Sequence, residues 1–86
     1  MTQTIYKYPL QIMDEQKIVM PVDAELLTVQ MQGSQPCLWA VVDPTKSLES
    51  RKILIRGTGH DCPGVGRYIS TFQMQGGALV FHAFEA

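Results

Sequence analysis

Long hydrophobic runs are missing from these 86 residues. No apolar stretch approaches the ~20 residues that a membrane-spanning helix needs, and Met1 to Lys7 are polar rather than leader-like. A cytoplasmic protein is the expectation. A basic excess is missing too: seven Lys and Arg stand against eight Asp and Glu, for a net charge of −1. Phosphate contacts supply most of the affinity for nucleic acid, so a polymer of that kind is not an expected partner. Arg51 and Lys52 are the only adjacent basic pair. A small phosphorylated ligand, which two or three arginines can hold, stays open.

Cysteine is scarce. Cys37 and Cys62 do not make a disulfide framework and read as free thiols. With His60 and His82 they amount to four potential metal ligands, but the paired C-x-x-C and H-x-x-x-H spacings of structural zinc sites are absent, so no metal is expected. Catalytic pairings are equally thin. Asp14-Glu15 and Asp23/Glu25 read as solvated turn residues, and Cys62 lies two residues from His60 in a loop that cannot hold a thiolate–imidazole pair. His82, midway along an apolar strand, reads as a hydrogen-bonded core or interface histidine. Nothing assembles into a catalytic constellation; neither an enzyme nor a cofactor is expected.

Helical periodicity is the last absence: no window carries a 3.6-residue stripe, and Thr45 to Ser50 suffices for one turn at most. What the chain does contain is strand patterning. Leu27, Val29 and Met31 alternate with Thr28, Gln30 and Gln32. Ile5–Tyr8, Lys17–Met20, Cys37–Val42, Arg51–Arg56, Tyr68–Met74 and Ala78–Phe84 are further runs, with Gly and Pro turn chemistry between them. An all-β fold follows: one domain over residues 1–86, antiparallel, six or seven strands arranged as hairpins, sandwich- or barrel-like. An echo marks two similar hairpins, because Thr28–Gly33 (TVQMQG) and Thr71–Gly76 (TFQMQG) each lead into a buried strand.

Those two buried strands, Cys37–Val42 and Ala78–Phe84, are apolar on both faces. An antiparallel sheet normally turns one face to water, and a chain this small buries only roughly 60–65% of its unfolded surface. Charged residues are also few, at 17%. A homo-oligomer that covers the second face is therefore expected.

The one long irregular segment, Gly57–Gly66, holds four glycines that let consecutive N–H groups converge on an anion. Arg56 and Arg67 bracket it, and Thr58, Gly59 and His60 lie within it. It reads either as a clamp for a diphosphate or as a wide hairpin connection; it matches neither the dinucleotide fingerprint nor the P-loop. Trp39 and Phe81, each on a doubly apolar strand, are the candidates to stack on a base.

Ile5–Leu10, Met20–Leu27, Pro36–Asp43, Gly57–His60, Tyr68–Gln73 and the ending Gly77–Glu85 together resemble a family of short phage and prophage proteins of unknown function. The resemblance spans nearly the whole chain and implies no catalytic motif. By analogy with other small oligomeric phage proteins, it implies a sponge for a nucleotide-derived immune signal, such as a cyclic ADP-ribose isomer or a cyclic oligonucleotide. On that reading Arg56, Thr58, Gly59, His60 and Arg67 hold phosphates while Trp39 or Phe81 meets the base. The alternatives are a protein-interaction module that inhibits a host protein and a small phosphodiesterase-like enzyme.

Overall fold

The computed structural model describes residues 2–86 as seven strands and one short 3-10 turn. The strands are β1 (Thr4–Pro9), β2 (Glu15–Pro21), β3 (Glu25–Gln32), β4 (Gln35–Val42), β5 (Leu48–Gly57), β6 (Arg67–Met74) and β7 (Leu79–Glu85). Each expected run forms its strand, while the anticipated helical turn after Thr45 is only a turn that feeds β5. No helix among the described residues is long and apolar enough to cross a membrane.

The strands form two antiparallel sheets, ordered β1-β4-β3 and β2-β5-β7-β6. Leu26, Val29, Leu38, Ala40 and Val42 from the first face Ile53, Ile55, Phe72 and Ala83 from the second, and all are buried. The chain passes from sheet to sheet between β1 and β2, between β2 and β3, and between β4 and β5, so neither layer is complete without the other. The result is an open sandwich rather than a closed barrel.

One part of the alternation is corrected. Leu27 does not join Val29 in the core; it is 43% exposed, and Leu26 takes its place at 2%. The cause is a β-bulge between Leu26 and Thr28, which inserts a residue and reverses the side-chain phase. A second bulge, between Tyr68 and Ser70, faces it on β6.

The sheets touch along β3 and β6, and there a side chain replaces a ladder rung. Ser70 Oγ accepts from the Val29 N–H at 2.9 Å and donates to the Val29 carbonyl at 2.7 Å. Its one proton is thereby committed, so the Thr28 hydroxyl, 3.1 Å away, is the donor to Ser70.

An acid-sensitive turn closes the other end of β4. Thr45 donates its hydroxyl and then its backbone N–H to the Asp43 carboxylate, which holds that carboxyl below its ordinary value of 3.8. A depressed carboxylate stabilises the fold above its unfolded value, and the contribution disappears as pH falls through the folded one. Urea midpoints measured between about pH 2 and 4 will therefore fall less steeply with acid in Asp43→Asn than in the natural protein. Equal slopes would show that this turn contributes nothing to acid unfolding.

Candidate functional site

The segment from Thr58 to Gly66 is not a hairpin loop. Both β5 and β6 run antiparallel to β7, which lies between them, so β5 and β6 are parallel to each other. Parallel strands cannot be joined by a tight turn. The segment crosses the outer face of β7 lengthwise, which is why it is long. The Thr58 N–H bonds the Val80 carbonyl at one end, and the Gly66 N–H bonds the Glu85 carbonyl at the other. Glycine is required at Gly66, since a Cβ there would stand 2.6 Å from the Glu85 carbonyl oxygen.

This path separates the two bracketing arginines. Arg56 lies opposite His82 and Arg67 opposite Glu85. They stand three residues apart along β7, about 10 Å, and on opposite faces of the sheet. Arg56 is buried beneath the crossover, where its guanidinium donates to the carbonyls of Asp14, Ile55 and Pro63. Arg67 reaches toward the Leu26 carbonyl on β3. A hairpin mouth lined by both guanidinium groups therefore does not form within one chain, and Arg56 is not the solvated strand-end residue its position suggests.

Thr58, His60 and Phe81 do come together. With Gly57, Leu79 and Val80 they line an open cleft of about 290 Å³ between the start of the crossover and the start of β7. Gly57 makes room for it, because a Cβ there would come within 3.0 Å of the His60 ring. Gly59, at φ 87°, takes a left-handed conformation that suits glycine. The amides of Thr58 and His60 are bonded, whereas the Gly59 N–H between them meets no acceptor among the described residues. Phe81 reaches the cleft from the inner face of β7, with its ring tilted against Phe72 at 5.7 Å.

Trp39 lies elsewhere, half-exposed on the outer face of the three-stranded sheet. Lys7 Nζ sits 5.9 Å from the centre of its ring and donates to the Gln32 side chain. Within one chain Trp39 and Phe81 do not form one pocket.

Sequence reading missed a polar chain beside the cleft. Thr58 Oγ1 lies 2.7 Å from His82 Nε2, His82 Nδ1 lies 2.9 Å from Thr71 Oγ1, and Thr71 Oγ1 lies 2.7 Å from the Tyr68 hydroxyl. Every member can donate or accept. The chain can run in either direction, so Thr58 can present either a proton or lone pairs to the cleft. His82 is thus neither a core residue nor an isolated one. The single legible signal was its polarity within an apolar strand; that β5, β6 and β7 would align Thr58, Thr71 and Tyr68 with it depends on strand order.

A second opening, of about 540 Å³, lies between the turns of the two echoed hairpins and is lined by Met31, Gly33, Ser34, Gln73, Met74 and Gln75. Cys37 is buried and Cys62 exposed, both as free thiols.

Fold and site together define a small two-layer β protein carrying a shallow cleft at the start of the crossover, where hydroxyl, imidazole and amide groups meet an apolar wall. The chain belongs to a family described as a domain of unknown function (DUF7352), whose model matches residues 1–86. No curated protein and no solved structure matches it.

Proposed function

We propose that the protein is a non-enzymatic, phage-type binder that sequesters a nucleotide-derived small molecule, such as a cyclic ADP-ribose isomer or a cyclic oligonucleotide, in the host cytoplasm. The observation that carries this reading is the meeting of Thr58, His60 and Phe81 in one cleft beside the His82 chain. Leu79, Val80 and Phe81 offer an apolar wall to a base. Groups that both donate and accept suit the hydroxyls of a ribose. Arg56 is held by carbonyls and Arg67 lies on the other face of the sheet, so His60 and the Gly59 N–H are left to meet phosphate.

Titration calorimetry with cyclic ADP-ribose and with a cyclic dinucleotide tests this reading. The natural protein should bind one of them and release it chemically intact on heat denaturation. Thr58→Val should weaken binding by about tenfold, the loss of one hydrogen bond of ~1.4 kcal/mol. Lys17→Ala, far from the cleft, should not weaken it. No heat from either ligand would remove the proposal, and recovery of cleaved products would replace it with an enzyme.

A protein-interaction module is the second reading. It is favoured by the outer face of the three-stranded sheet, where register sets Val41 beside Ile5 and Trp39 beside Lys7, with no strand among the described residues packed above them.

A further inference from the structure

We propose that the free edge of β1 pairs antiparallel with β1 of a second copy, joining two three-stranded sheets into one of six strands. A strand at a sheet margin exposes a row of unpaired N–H and C=O groups, and proteins protect such rows with charge, proline, bulges or cover. Three of the four edges here are protected. β3 and β6 cover each other, through Ser70 and the reach of Arg67 to the Leu26 carbonyl. β2 carries Glu15 and Lys17, with Lys52 opposite Lys17, and ends on Pro21.

β1 is the least guarded edge: it ends on Pro9 just as β2 ends on Pro21, but over Thr4–Tyr8 it presents no charge across its margin. It is bonded to β4 alone, and its sequence, TIYKYP, has one charged side chain. That charge is drawn back over its own sheet, because Lys7 turns toward Trp39 and Gln32 instead of across the edge. Ile5 is 60% exposed and Tyr6 41%, and as neighbours they face opposite sides of the strand. Both faces of the margin are therefore apolar.

The strand is also compatible with itself. A two-fold axis at Tyr6 sets Ile5 against Lys7 of the second copy and Thr4 against Tyr8, so no like charges oppose each other. Tyr6 meets its own equivalent on the face where Tyr6 and Tyr8 already make an edge-to-face pair at 6.3 Å, extending an aromatic row of the kind that stabilises cross-strand pairs. The same axis at Lys17 on β2 would oppose two lysines. One six-residue strand buries less than the ~1,200 Å² of a standard interface, which places the association in the weak, concentration-dependent class. This inference is independent of the cleft, which lies on the other sheet, so no ligand enters its test.

Sedimentation equilibrium from about 1 to 500 μM, a range suited to a weak interface, should show the mass rise from 9.6 kDa toward twice that value. Tyr6→Lys, which opposes two charges at the axis, should remain monomeric throughout. Val19→Lys, on the β2 edge, should behave like the natural chain. A Tyr6→Cys, Cys62→Ser double variant adds an assay that does not depend on how Tyr6→Lys folds. Its facing Cα atoms would stand at about 4.5–5.5 Å, within disulfide reach, so mild oxidation should give a covalent dimer. A monomer at every concentration overturns the proposal. So does a dimer that Val19→Lys dissolves, or one that oxidation of the double variant fails to trap.

Discussion

Ser70→Ala will lower the unfolding free energy by about 2–4 kcal/mol, the cost of leaving a buried backbone donor and acceptor without partners. Val29 is 0% exposed, so water cannot take over the bonds that Ser70 Oγ makes to its N–H and C=O. For a domain of this size each kcal/mol is worth roughly 4–8 °C in Tm, and a total stability of about 5–15 kcal/mol leaves little reserve. The loss is also topological. β3 and β6 share no backbone ladder, and Ser70 supplies the one polar link at the centre of that seam. Thr28→Val provides the comparison. It removes a bond from a half-buried hydroxyl to Ser70 but leaves both Val29 groups satisfied, so its cost should stay below about 1 kcal/mol. Urea unfolding of the two variants separates the cases. A Ser70→Ala midpoint equal to that of Thr28→Val would mean that apolar packing of Val29 and Phe72 alone holds the seam.

Ser70 also illustrates what could and could not be read from the chain. The strands were legible because their signals are local: alternation in Val29-Gln30-Met31-Gln32, and Gly or Pro where the backbone reverses. The doubly apolar character of Cys37–Val42 was legible for the same reason, and β4 is indeed the central strand of its sheet. The bulges were not, because a bulge is a mismatch between two strands and has no signature in either one. Placing Leu27 on the same face as Val29 failed at that point. Strand order was hidden as well, and the crossover depends on it. Gly57–Gly66 has the composition of a hairpin loop, yet β7, which follows later in sequence, inserts between the strands it joins. The expected cleft residues divide along the same line. Thr58, His60 and Phe81 meet because the crossover starts where β7 starts, while Trp39 and Arg67 belong to surfaces that the sheet order sets apart.

Arg56→Ala will destabilise the protein by about 2–3 kcal/mol, the range for hydrogen bonds from a charged donor, and will release the crossover with it. The guanidinium is a buried fork between three carbonyls. Its contacts tie β5 to Asp14, ahead of β2, and to Pro63, in the middle of the crossover. Arg56 is 9% exposed and makes no salt bridge among the described residues. Its charge is thus met by carbonyl dipoles, and it is not free to recruit a phosphate. The comparison is Arg67→Ala, whose exposed side chain makes one long contact at 3.4 Å and whose loss should cost less than about 0.5 kcal/mol. Hydrogen exchange is the informative measurement, because it reports local opening apart from global stability. In Arg56→Ala the amides of Thr58 and Gly66, which stitch the crossover to β7, should exchange faster, while the amides of Val29 and Leu38 retain the protection set by the remaining global stability. A binding assay on the same protein then carries a definite meaning. Gly57, Thr58 and His60 form one wall of the cleft, so ligand affinity should fall together with crossover protection in Arg56→Ala and should hold in Arg67→Ala. Affinity lost from a variant whose crossover stays protected would identify Arg56 as a direct phosphate ligand. Protection lost without any loss of affinity would move the binding site off the crossover altogether.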